Sequence, residues 1–407
     1  MTVFDFHIGP EIPLCFFILF VFTLRMKVRP RAFLRINVSP AKMWALLAPY
    51  DGKVDHWHNT KVTTRLVPSE TVIYAVNYEV TQSNGAVRKF NAQFRLVERE
   101  ENRLMVLKRE GLGAKSTNNE LLEIRHELIP ETDATRLITT YQWGRRPFLA
   151  QLMARADLWG GIYRIKALAE TGQSNDRAYW MINLSIALFS AVLSLGAFYL
   201  FVGWVVSAIF ILALLVHELG HLLAFRMIGQ PWGRIVFLPF LGAVAMPRLP
   251  YESQSQSVFA ALMGPGFSLL LAAACFVPAH HNGVIGSIFA LIGILTCILN
   301  AFNMLPAEPL DGGVALRSIM TRLLGAKAWS GLVAVGIIVV ASGIALGNIG
   351  LFVFGVLAVL ANLWRRKIDI GLIPLTSLQL CIGIFSYVAI TGAHLTMMNW
   401  FYAQLLL

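Results

Sequence analysis

Apolar and polar positions divide this chain near residue 180. After it come long apolar runs broken by short polar or Gly/Pro stretches, near 180–201, 204–227, 257–278, 283–304, 328–346, 349–364 and 372–392. Runs of this length predict membrane-spanning helices, seven in all, with almost no loop between the pair around Gly203. The tail after 393 carries Trp400, Phe401 and Tyr402, which predicts a further half-span or an interfacial helix. A shorter run from Ile12 to Leu24 precedes Arg25, Lys27, Arg29 and Arg31. With the basic cluster after the apolar core, it predicts a first anchor over 1–27, N-terminus outside, rather than a cleaved leader.

Between these regions, residues 28–172 alternate as half-buried strands do. The segments AFLRINV, VIYAVNYEV, VRKFNAQFRLVE, NELLEIRHEL and ATRLITTYQW predict an antiparallel sheet, and Asn84-Gly85 predicts a hairpin turn. Ser39-Pro40 predicts the capped start of a short helix carrying Trp44, Leu46 and Leu47, and about 147–171 a long closing one. The fold class is thus a multi-pass α-helical membrane protein with a soluble α+β N-terminal domain. Its order, a short first helix, an antiparallel sheet and a long last helix, with VSPAKMWALLAPYDGKVDHW near its start, resembles the START-like (SRPBCC, helix-grip) superfamily. That resemblance implies a cavity between sheet and helix. Two roles stay open for it: sensing an apolar ligand, or serving as an adaptor that recruits substrate.

Composition agrees with a membrane protein. Hydrophobic residues make up 56% and charged ones 14%, far from the quarter charged of soluble domains. The net charge of +11 does not point to nucleic acid, because many basic residues flank apolar spans. Arg226, Arg234 and Arg248, then Arg317, Arg322 and Lys327, then Arg365, Arg366 and Lys367 fall on one side in a seven-span reading. That is the cytoplasmic side, shared with the soluble domain. Cys15, Cys275, Cys297 and Cys381 lie singly in apolar stretches, which speaks against a disulfide framework or a cysteine metal site.

Candidate chemistry sits in the run 204–227, which contains His217-Glu218-Leu219-Gly220-His221. Residues four apart on a helix share a face, so His217 and His221 can offer two imidazoles to one metal with Glu218 beside them as base. The plain alternative is a histidine pair packed in a helix core. Three ionisable groups in an apolar span need compensation, and a bound cation supplies it. Two histidines leave a tetrahedral zinc site incomplete. The best third ligand is Asp311 in NMLPAEPLDGG, where prolines end one span and a glycine pair opens the next. Read plainly, Asp311 would cap a helix in a cytoplasmic loop.

HELGH in one span with NMLPAEPLDGG in a later one resembles the site-2 protease family of intramembrane zinc metalloproteases. The resemblance implies one zinc ion per chain on His217, His221 and Asp311, with Glu218 as catalyst. It implies a substrate-positioning role for Asn303, a transmembrane protein substrate, and a setting in the lipid bilayer, here a bacterial cell membrane. It makes 180–325 the protease core and 326–407 additional C-terminal helices. Met263-Gly264-Pro265-Gly266 resembles the family's Gly-Pro element, where the glycines let helices approach closely; Ser268 stands where relatives carry asparagine and receives no role. Trp232 to Pro247 is expected as a membrane-embedded strand or hairpin that could pair with substrate. Glu308 departs from the family pattern and is expected to face water. His56 with His58, and His280 with His281, read as structural or solvated pairs. The rival functions are a non-proteolytic sensor or transporter with structural zinc, and a membrane-anchored lipid-binding module. Glu218 discriminates, since structural zinc has no use for a base.

Overall fold

The computed structural model describes residues 25–57, 60–82, 85–110, 121–173, 177–240, 242–281, 283–364 and 372–406. The expected anchor run 12–24, and His58, Asn84, Arg365, Arg366 and Lys367, lie outside the described residues. The chain forms two compact units, Met1–Ile186 and Ala187–Leu407.

The first unit is one antiparallel sheet closed by a long helix. Its strands are β1 (Arg25–Val28), β2 (Arg31–Ile36), β3 (Val54–Trp57), β4 (Thr60–Val67), β5 (Ile73–Thr81), β6 (Val87–Glu100), β7 (Leu104–Glu110), β8 (Leu121–Glu131) and β9 (Ala134–Pro147). They run β1-β9-β8-β7-β6-β5-β4-β3, with β2 also pairing β9. Arg25 and Lys27, read from sequence as charges flanking an anchor, belong to β1, which pairs with the end of β9. Helix α1 (Pro40–Leu47) starts as the sequence predicts: the Ser39 side chain accepts from the Lys42 amide, and Pro40 needs no donor there.

Period-two burial decides which way the sheet faces. In β2, Ala32 and Ile36 are buried while Arg31, Phe33 and Arg35 are exposed. Helix α2 (Phe148–Thr171) lies on the buried face. Ile165 and Ala169 join Ile36, Met43, Trp44, Leu128 and Leu137, and Leu158 and Ile162 join Ala32. This is a helix-grip arrangement. His126 is buried in it, its Nδ1 2.9 Å from the Thr139 hydroxyl, and burial pushes its imidazole down to about 4. Burial likewise pushes the Tyr141 phenol up to about 12, with Tyr78 and Asp157 adding to it.

The second unit is helical. Its elements are α3 (Arg177–Met227, which begins in the first unit), β10 (Arg234–Leu238), β11 (Gly242–Met246), α4 (Gln254–Phe276), α5 (Val284–Asn303), α6 (Asp311–Leu324), α7 (Ala328–Ala345), α8 (Ile349–Trp364) and α9 (Ser377–Leu406). Five stretches among the described residues are long and apolar enough to cross a membrane: Trp180–Met227, Gln254–His280, Val284–Asn303, Asp311–Ala345 and Ser377–Leu406. Phe352–Leu363 is a shorter apolar helix.

The first stretch is not one straight rod. Gly203 has φ 73°, ψ 173°, a backbone conformation open to glycine and costly for other residues. The rings of Phe198 and Phe210, about 18 Å apart along a straight helix, sit with centroids 4.7 Å apart. The chain therefore folds back at Gly203, and the near-absence of a loop in the sequence reflects a one-residue reversal. The tail after 393 differs from expectation, since α9 runs on without a break to Leu406. Phe401 is not interfacial but fully buried, its ring filling the space that a side chain at Gly293 would need.

Candidate metal centre

The second arm of α3 brings His217, Glu218 and His221 into the interior, at 2%, 3% and 8% exposure. Asp311 is the first residue of α6. Its Oδ2 lies 3.0 Å from His217 Nε2 and 3.3 Å from His221 Nε2, and the two Nε2 atoms are 3.1 Å apart. Among the described residues this is the group of three side chains able to hold a metal ion.

The outer nitrogens decide what the inner ones present. His221 Nδ1 is 2.7 Å from the Ala260 carbonyl, which can only accept, so Nδ1 carries the hydrogen and Nε2 offers a lone pair. His217 Nδ1 is 2.8 Å from Asn300 Oδ1. The other end of that amide donates to the Thr296 carbonyl at 2.7 Å, which fixes the oxygen towards the imidazole. Two bare nitrogens and a carboxylate oxygen thus converge on one point. Lone pairs this close to one another and to a carboxylate are held together by a proton or a cation among them. Ligands about 2.0–2.1 Å from a tetrahedral zinc stand about 3.3–3.4 Å apart, close to the spacings found. The residues fit zinc.

Neighbouring elements are cut to this shape. A β-carbon at Gly264 on α4 would fall within 3.0 Å of both imidazoles, so that glycine makes room for the histidines as well as for helix contact. At Gly220 it would strike the Met263 backbone and Phe267, which is the close helix approach expected of small residues. Gly266 meets only Ile390 at an ordinary 3.5 Å. Gly312 and Gly313 lie against the Met304 and Ala307 backbone, letting α6 start hard against the segment that precedes it.

Glu218 Oε2 is buried and has no hydrogen-bond partner among the described residues. The backbone amide of Ala245 on β11 reaches its carboxylate. Strands β10 and β11 pair antiparallel from Arg234↔Met246 to Leu238↔Gly242, in the segment expected to form a hairpin. The Phe237 amide donates to the Ser190 hydroxyl at 3.1 Å, tying β10 to the first arm of α3.

One position departs from expectation. Glu308 does not face water: it is 7% exposed, with Oε1 2.6 Å from Arg317 Nη1. Burial makes the ion pair necessary, since a lone buried carboxylate is costly. Asn300 reaches His217, and Asn303, expected to position substrate, is half-buried one turn further along α5. A polar residue inside an apolar run was the available signal for Asn300. His56 lies in β3, and His280 is exposed, packed on Phe276 and Trp400.

Residues 205–280 match peptidase family M50. A zinc metalloprotease of Methanocaldococcus jannaschii is 30% identical over 128 residues, 30% of this chain and 36% of that protein. The chain thus spans little more than a third of that relative's length. The solved site-2 protease of the same organism is similar at 19% identity and a TM-score of 0.30, over 44% of this chain and 87% of that one. Zinc is the metal this family implies.

Proposed function

We propose, from the peptidase family M50 domain this chain carries, that the protein is an intramembrane zinc metalloendopeptidase cutting transmembrane segments of membrane proteins. His217, His221 and Asp311 would hold one zinc ion per chain. The observation that carries this reading is the buried Glu218 carboxylate beside the three ligands, with Oε2 unpartnered. A structural zinc site is closed by four protein ligands and needs no such group.

Bound there, zinc supplies Lewis-acid activation of water and of the scissile carbonyl. Glu218 Oε2 takes a proton from the attacking water and passes it to the leaving amine nitrogen. Asn300 and the Ala260 carbonyl keep both imidazoles in the tautomer that turns Nε2 inward. Asn303, near Asn300 on α5, positions the substrate peptide. Next to Glu218, β11 offers backbone groups to which an unwound substrate strand can add. The basic clusters support a cytoplasmic N-terminal domain; the setting would be a bacterial cell membrane, and the domain would gate proteolysis through an apolar ligand or recruit substrate as an adaptor.

The test compares wild type with Glu218→Gln on a model transmembrane substrate, with zinc measured in both. Cleavage should fall by about 10²–10⁴-fold while zinc stays. Unchanged cleavage overturns the assignment of the base; wild type that binds zinc but cuts no substrate favours the structural-zinc rival.

A further inference from the structure

Asp311 is delivered by an irregular stretch, Met304 to Leu310, between α5 and α6. Backbone of this kind persists at membrane depth only where its polar groups find partners inside the protein. Two of its carbonyls are met by side chains from distant helices. The Tyr387 hydroxyl on α9 donates to the Met304 carbonyl at 2.5 Å, and the Asn362 amide on α8 donates to the Pro306 carbonyl at 2.6 Å.

Neither donor is explained by its own helix. Asn362 is 2% exposed, and its Oδ1 has no partner among the described residues. An amide left half satisfied in an apolar helix is costly, and its one described hydrogen bond goes to the segment that carries the carboxylate. The close approach of Gly312 and Gly313 to the Met304 and Ala307 backbone holds the segment against α6 as well. The stretch is therefore held from three helices.

We propose that Asn362 and Tyr387 are positioning residues of the metal centre, bracing the 304–310 segment so that Asp311 Oδ2 stays in register with the two histidines. This rests on the reading of His217, His221 and Asp311 as zinc ligands. It makes α8 and α9, which lie outside residues 205–280, part of the support of the site rather than added spans.

The test uses the full chain in lipid nanodiscs, loaded with zinc alone, and follows release of the ion to a chromophoric chelator. Wild type is compared with Tyr387→Phe, Asn362→Leu, the double variant and Thr391→Val. The last removes only a hydrogen bond within α9, from Thr391 to the Tyr387 carbonyl. Release should be about fivefold faster in each single variant, the worth of one hydrogen bond, and faster still in the double. Thr391→Val should match wild type, and the visible bands of the cobalt-loaded protein should shift only in the first three. Should Asn362→Leu fail to fold, Tyr387→Phe, smaller by one oxygen, carries the test alone. Folded variants with wild-type release and unchanged cobalt bands overturn this inference alone. Wild type that takes up no zinc overturns the ligand assignment, and this inference with it.

Discussion

Asn300 accepts the Nδ1 hydrogen of His217 across 2.8 Å, from a residue 83 positions away in the chain. Through that bond α5 sets the ring orientation of His217 on α3. Replacing Asn300 by Leu leaves His217 Nδ1 without an acceptor and frees the ring to turn. Zinc affinity should fall about 10–100-fold, read by competition with a chelator, while Asn300→Asp keeps an acceptor and should lose less. Equal affinity in Asn300→Leu and wild type would remove Asn300 from the site.

Gly264 and Gly266 sit two residues apart in one helix and make opposite predictions. Gly264→Ala places a methyl within 3.0 Å of both imidazoles, so it should abolish zinc binding or force α3 and α4 apart. Gly266→Ala makes an ordinary contact with Ile390 and should bind zinc as wild type does. Zinc content of the two purified variants is the measurement. A zinc-replete Gly264→Ala would show that the histidines have room to spare.

Breaking the Glu308–Arg317 pair from one side should cost more than removing it whole. Arg317→Met leaves a buried carboxylate facing Met, an effect of about 3–5 kcal/mol for pairs of this kind. The double variant Glu308→Leu/Arg317→Met should be more stable than Arg317→Met alone. Thermal unfolding in detergent ranks the three proteins, and the reverse order would mean that the carboxylate finds water after all.

In the first unit, His126 is held neutral by burial, its imidazole down at about 4 against an ordinary 6.5. The unfolded chain binds a proton on this ring below pH 6.5 and the folded chain does not. The stabilising contribution is therefore complete above about 6.5 and drains away as pH falls towards 4, by about 3 kcal/mol over that window. The protection factors of β8 and β9 amides, which allow for the acid slowing of intrinsic exchange, should fall over the same range. In His126→Phe that acid sensitivity should shrink; an identical pH profile would assign it to other groups.

The meeting of His217, His221 and Asp311 could be read from the sequence because its parts obey short-range rules. The interval from His217 to His221 is one helical turn, and the prolines and glycines around Asp311 mark a break whatever else surrounds it. Ser39-Pro40 starts α1 for similarly local reasons. Glu308 defeated the reading because a charged residue between prolines looks solvated, and its partner Arg317 lies nearly two turns into the next helix. Asn300 stayed unread because the crossing of α5 with α3, not a spacing from the Leu-Asp-Gly triplet, brings it to His217. No spacing encodes a helix crossing. Tyr387 and Asn362 were hidden for the same reason, since their partners lie 83 and 56 positions away.

The inward lone pairs of His217, His221 and Asp311 carry a thermodynamic consequence for the whole helical unit. Two imidazole nitrogens and a carboxylate oxygen 3.0–3.3 Å apart join α3 to α6, and an ion that enters adds its own ligand bonds to that link. Occupancy is then worth free energy to the fold and grows with the logarithm of free zinc. The melting temperature of the purified protein should climb as zinc is raised, and chelation should loosen these helices before anything else comes apart.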